Sequence, residues 1–202
     1  TRFGSQMTAW RDEEYVSLLN NTGFTLLPPP AGHDWPVSET FEGKLFALLA
    51  EKAKTSGELP LNTQHNKRNS ALDIPRIFTI SESKHRIHNP FTEEKYTTLG
   101  RVLRMKPETR ILDLGSGSGE MLCTWARDHA ITGVGIDMSQ LFSKQARRRS
   151  EELGVSDRVQ FIHSDAAGYV AEEKFDVAAC VGATWIAGGF TGMMELLAQS
   201  LK

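Results

Sequence analysis

The sequence predicts a doubly wound α/β domain on a parallel sheet, preceded by an N-terminal appendage. Three observations point there. From residue 110 onward, short apolar runs alternate with amphipathic segments, the pattern of strands joined by crossover helices. One of these runs, ILDL at 111–114, leads straight into a glycine-rich turn that opens a helix. Before residue 70 that regularity is missing, and Pro28, Pro29 and Pro30 impose an extended, ladder-free stretch.

Residues 1–70 therefore read as an appendage and linker, and 71–202 as the domain. In the appendage, Tyr15, Val16, Leu18 and Leu19 suit a short helix over 12–21, with Gly23 as a left-handed cap. Residues 24–27 suit a short strand. A second helix is expected over 38–54, capped by Ser38, with Phe41, Leu45, Leu48 and Leu49 on one face. The polar run 55–70 reads as a linker.

In the domain, a helix is expected over 91–103, with Thr92 as its cap and Glu93 and Glu94 at the positive end of its dipole. Pro107 separates it from a strand at 110–114. The expected order then continues with a helix at 119–128, a strand at 132–137 and a helix at 139–153. Strands at 159–163 and 175–181 follow, and a helix at 193–201 ends the series. The run Arg147, Arg148, Arg149 reads as a solvated helix face.

Composition narrows the function. The 202 residues are 40% hydrophobic and 24% charged, and 23 basic residues against 25 acidic give a net charge of -2. This excludes wholesale disorder and a general basic footprint for nucleic acid. No apolar run reaches the roughly 20 residues of a membrane span. Cys123 and Cys180 lack metal or redox spacing and have no base nearby in sequence. A reducing cytoplasm is expected, and cysteine nucleophilic chemistry is not. His33 with Asp34, and Asp128 with His129, are too isolated for metal sites.

The chemistry concentrates at ILDLGSGSGE, residues 111–120. Gly115, Gly117 and Gly119 let a backbone approach a ligand closely, and the next helix offers N–H groups and a positive dipole end. A phosphate or an amino-acid carboxylate suits such a turn. A phosphate loop would need a Gly-Lys pair that is absent, and a dinucleotide fingerprint would need glycine where Glu120 stands.

The observed GxGxG with Asp113 before it resembles the first motif of the class I S-adenosylmethionine-dependent methyltransferases. The landmarks that follow keep that family's order: Asp137 and Met138 in GVGIDMS, Asp165 and Ala166 in HSDA, and Val181 in FDVAACVG. The resemblance implies a Rossmann-like methyltransferase fold with S-adenosylmethionine as cofactor. It implies that Gly115, Ser116, Gly117 and Gly119 cradle the methionine moiety, with Asp113 positioning the amino group. Asp137 would accept the ribose hydroxyls, Met138 would lie against adenine, and Asp165 with Ala166 would read the adenine edge. Val181 would meet the methionine part. FTISESKHRIHNPFT and CVGATWIAGGF are similar to a group of bacterial small-molecule-type methyltransferases. A small-molecule acceptor is then implied, lined by Thr184 and Trp185, with His85, Arg86 and His88 covering the site. No Asp-Pro-Pro-Tyr type of motif follows the fourth strand, which speaks against nucleobase acceptors.

One departure stands out. The family's sheet continues beyond its fourth strand, whereas this sequence stops at Lys202. The expectation is a fold truncated after the fourth strand, with an apolar sheet edge open to self-association. YVSLLNNTGFTLL resembles a late helix–strand unit of such folds. The alternative function is a catalytically inactive cofactor-binding or interaction module, and a nicotinamide-dependent oxidoreductase is a third, disfavoured by Glu120.

Overall fold

The computed structural model describes residues 24–26, 50–52, 72–89 and 91–202. The chain forms two compact units, Thr1–Glu58 and Leu59–Lys202. The division falls inside the stretch 55–70 that reads as a linker, and that stretch, the helix expected at 12–21 and its Gly23 cap lie outside the described residues.

In the first unit, β1 (Phe24–Leu26) pairs antiparallel with β2 (Ala50–Lys52). The pairing confirms a strand near 24–27. It corrects the helix expected over 38–54 at its end, because Ala50, Glu51 and Lys52 are extended against β1. Pairing has overridden a sequence of ordinary helix formers there.

The second unit opens with α1 (Arg76–Glu82) and α2 (Glu93–Val102), followed by β3 (Arg110–Leu114), α3 (Glu120–His129), β4 (Thr132–Asp137) and α4 (Gln140–Glu152). Then come β5 (Val159–His163), β6 (Val177–Ala179), a 3-10 turn (Thr184–Ala187) and α5 (Phe190–Ala198). The four strands β3 to β6 are all parallel, in the order β5-β4-β3-β6. The order reverses beside β3, the first strand of the series, which is where open α/β sheets bind ligands.

Alternation along β3 feeds two cores. Ile111 packs with Tyr96, Leu122, Trp125, Val159 and Phe161 on the face carrying α2, α3 and α4. Leu112 and Leu114 pack with Ile136, Met193, Leu196 and Leu197 on the α5 face. Both faces of the strand are thus buried, as a parallel sheet requires. Thr92 caps α2 through Lys95 N, and Ser139 caps α4 through Phe142 N, each at 3.3 Å.

Three expectations need correction. β6 covers only Val177–Ala179, shorter than 175–181; just before it Asp176 binds the start of β3, its Oδ2 accepting the Arg110 N–H at 2.9 Å. α5 starts at Phe190, three residues early, straight after Gly188 and Gly189. The sheet edge beside β6 is partly closed, since Leu201 bridges Phe175 in parallel, with Phe175 N–H on the Ser200 carbonyl at 2.9 Å.

The arginine run is also not a uniform solvated face. Arg147 lays its guanidinium on the Phe161 carbonyl at 3.0 Å, and Arg149 pairs with Glu120. Arg148, with its side chain 80% exposed, is the solvated member.

Candidate functional site

The parallel register places the two landmark acids side by side. Asp113 lies opposite Gly135, one residue from the end of β3, and Asp137 is the last residue of β4. Between them runs the glycine turn. Gly115 N–H and Ser116 N–H both donate to the Ile136 carbonyl, at 2.8 and 3.1 Å, which pins the turn to β4.

Gly119 and Gly117 show why this turn excludes side chains. Gly119 has φ +74°, and a Cβ there would stand 2.6 Å from Phe161 Cζ. Gly117 has φ +54°, and a Cβ would meet His88 Nδ1 at 2.9 Å. Left-handed backbone and close approach both demand glycine here.

Asp137 locks the turn. Its Oδ2 accepts the Gly117 N–H and its Oδ1 the Ser139 N–H, both at 2.8 Å. Burial raises its carboxyl pKa, and those two backbone donors pull it back. Each oxygen keeps a second lone pair for a ligand hydroxyl.

Asp113 is different. It is 3% exposed, and its Oδ1 has no hydrogen-bond partner among the described residues. Burial, with Asp137 as a like-charged neighbour, pushes its carboxyl up to about 7. A buried acceptor without a donor is a costly arrangement unless something else supplies the proton. A ligand ammonium would do so, and the backbone of the glycine turn lies next to Asp113 in the chain. These residues fit the group that the sequence implied.

Segment 83–89 lies against the turn. His88 Nε2 is 3.1 Å from Ser118 Oγ, and its ring centroid stands 4.1 Å from that of Phe142. Ser118 Oγ donates to Gln145 Oε1 at 2.9 Å, and Gln145 Nε2 donates to the Ser83 carbonyl at 2.8 Å. The segment is thus stitched to α4. His85 turns away to Glu82 at 3.0 Å. Arg86 is held by Glu93 and stands 3.8 Å from Glu120, so its charge is already answered.

The remaining expected residues fall around the same strand ends. Met138 is half-buried after β4. Asp165 is exposed beyond β5, where its Oδ1 accepts the Ala167 N–H at 2.9 Å. Ala166 is buried in the α5-side core, where its side chain packs inward. Val181, just past β6, packs against the other core. Thr184 and Trp185 begin the 3-10 turn, with Trp185 66% exposed.

Two residues went unread in the sequence. Asn89 Nδ2 donates to Tyr96 Oη at 2.9 Å and to the Val181 carbonyl at 3.3 Å, tying the covering segment to the end of β6. His163 Nε2 is 2.9 Å from the Met138 carbonyl and 3.0 Å from that of Leu72. Each joins segments some ninety residues apart, so only the fold reveals it.

Glu120, which breaks the dinucleotide pattern, is 5% exposed and receives two bonds from Arg149, at 2.8 and 3.0 Å. It is a structural pair between α3 and α4. Cys123 and Cys180 are free, and burial pushes both thiols up to about 12, so neither is a thiolate near neutrality. A cavity of about 820 Å³ opens at the opposite end of the strands, beside Arg110, Thr132 and Arg158. Arg110 and Arg158 are paired there with Glu173 and Glu108. Among the described residues no helix is long and apolar enough to cross a membrane, and no cluster of His, Cys, Asp or Glu is grouped to hold a metal.

Comparison with known proteins agrees with this geometry. Residues 111–202 match the family model described as a methyltransferase domain. The uncharacterized protein YjhP of Escherichia coli K12 is 86% identical over 131 residues, which span 65% of this chain and 53% of that protein. A crystal structure of a SAM-dependent methyltransferase from Geobacter sulfurreducens, in complex with S-adenosyl-L-homocysteine, is 73% identical with a TM-score of 0.64. It matches over 65% of this chain and 53% of its own. A probable fatty acid methyltransferase of Mycobacterium tuberculosis, Rv3720, is 35% identical over 92 residues, 46% of this chain and 21% of that protein. The chain thus spans about half the length of the first two relatives. Residues 111–202 thus match a methyltransferase domain, and about two thirds of the chain is similar in sequence and fold to a solved S-adenosylmethionine-dependent methyltransferase.

Proposed function

We propose that this chain binds S-adenosylmethionine at the carboxyl ends of β3 and β4 and transfers its methyl group to a small-molecule acceptor. The observation that carries the reading is Asp113, a buried carboxyl with an unanswered oxygen beside a backbone cradle that excludes side chains. In this reading Asp113 holds the ammonium, while the backbone of Gly115, Ser116, Gly117 and Gly119 accommodates the methionine moiety. Asp137 takes the ribose hydroxyls on its spare lone pairs, Met138 lies beside adenine, and Asp165 and Ala166 meet the adenine edge. Val181 bounds the methionine side. The bound cofactor would supply an electrophilic methyl on a sulfonium, and the chain's task is to hold an acceptor close to it and in line.

Recognition of the acceptor falls to Thr184 and Trp185, because Arg86 is spent on Glu93 and Glu120 and His85 on Glu82. His88 supports the turn through Ser118. The exposed indole of Trp185, with Ile77, Phe78 and Ile80 exposed on α1, favours an acceptor with an apolar part. The mycobacterial relative named as a probable fatty acid methyltransferase supports the same direction.

The test is heat protection. At a hundredfold excess over Kd, S-adenosylhomocysteine should add about 2.7 kcal/mol and raise Tm by several degrees, while NADH leaves it unmoved. Protection by NADH alone would favour the oxidoreductase alternative. Replacing Asp137 by Ala should weaken S-adenosylhomocysteine by about 1–3 kcal/mol, since it strands the ribose hydroxyls and frees the Gly117 N–H. An unchanged Kd in that variant would remove Asp137 from the ribose.

A further inference from the structure

We propose that Asp113 accepts its ligand's ammonium by giving up a proton to solvent, so that tight binding is reserved for ligands carrying that cation and strengthens as pH rises. The proposal rests on the S-adenosylmethionine reading above and adds the protonation state of the empty site. Asp113 lies on β3 between Gly135 of β4 and Ala179 of β6, at 3% exposure, with Oδ1 unpartnered among the described residues.

Among the described residues, the titratable groups coupled to it are acids. Asp137 comes from β4, Tyr96 from α2 and Cys180 from beyond β6. Burial holds the tyrosine and the thiol up at about 12, so both are neutral. His88 and His163 act on Asp137. A lone carboxylate in such a place lacks a counter-charge, and the empty site therefore favours the carboxylic acid, with its carboxyl at about 7. An incoming ammonium supplies the counter-charge. The O–H bond of the acid breaks, its proton passes to water, and the ammonium keeps all of its own.

The experiment is calorimetric titration of the full chain at pH 6 in phosphate and in imidazole, two buffers of different ionisation enthalpy. The ligands are S-adenosylhomocysteine and methylthioadenosine, which lacks the amino-acid part. At pH 6 an α-amino group is fully charged, so any proton released comes from the protein. The expected result is release of close to one proton with S-adenosylhomocysteine and none with methylthioadenosine. Between pH 8 and pH 6 the affinity of the former alone should fall about tenfold, as one linked proton dictates. Both ligands carry the ribose assigned to Asp137, so contacts there are common to the two arms of the comparison. An Asp113→Asn chain should release no proton with S-adenosylhomocysteine. Tight binding of S-adenosylhomocysteine without proton release, or equal release with both ligands, overturns the proposal and leaves the cofactor reading standing. Failure of a folded chain to bind either ligand overturns the cofactor reading itself, and this proposal with it.

Discussion

Replacing Arg149 by Ala should destabilise the second unit by about 3 kcal/mol and lower its Tm by on the order of 10 °C. Glu120 opens α3, is 5% exposed, and takes two bonds from Arg149, whose own side chain is 17% exposed. Truncating the arginine leaves a buried carboxylate whose nearest cation is Arg86, at 3.8 Å and half exposed. That remnant is too far and too wet to replace the lost pair, and it holds the effect at the lower end of the range for broken buried pairs. Adding Glu120→Gln to the variant should recover part of the loss, because the stranded charge is then gone. Thermal melts of the three proteins decide the matter. An Arg149→Ala protein as stable as wild type would mean that Glu120 is solvated or neutral, and the reading of the α3–α4 pair would fail.

Asp113→Asn should have opposed effects on stability and binding. The folded carboxyl stands at about 7, against 3.8 as the ordinary value. Between those limits the folded protein keeps a proton that the unfolded chain has released. Its stability therefore falls as pH climbs from about 4 to about 7, and the deficit is complete above that. Asparagine never ionises, so the variant should be more stable than wild type at pH 8, by a few kcal/mol at most, and should lose that advantage near pH 4. Asparagine also offers no charge to an ammonium, so S-adenosylhomocysteine should bind at least tenfold more weakly. Melts at pH 4.5 and pH 8, with titrations at pH 8, read both effects. A variant less stable than wild type at pH 8 would show that the Asp113 carboxylate has a partner in the folded protein, contrary to its orphaned oxygen. The site would then carry strain of a different origin.

The strands of the second unit were legible because each is a short apolar run bounded by clear punctuation. β3, β4 and β5 fall at the expected residues, and Thr92 caps α2 as its hydroxyl and the following Glu93 and Glu94 suggest. α1 escaped notice because Pro75 offers no side-chain cap and Ile77, Phe78 and Ile80 remain exposed, which breaks the core-facing pattern that marks a helix. β2 was hidden for another reason: Ala50, Glu51 and Lys52 have no strand preference of their own, and only β1 makes them extended. At the site, Asp113, Asp137 and the glycines could be read because a strand, a turn and a helix are contiguous in sequence. Asn89 and His163 could not, since each acts on carbonyls that folding alone brings near. Arg86 looked available for a substrate in the sequence because its partners, Glu93 and Glu120, sit on two later helices.

The turn between Asp113 and Asp137 is proposed here as a binding site for S-adenosylmethionine. Its most direct test is calorimetric titration of the purified chain with S-adenosylhomocysteine at pH 8, with NADH as the control. One site of micromolar affinity is expected for the former and none for the latter. A cooperatively melting protein that takes up no S-adenosylhomocysteine would contradict it.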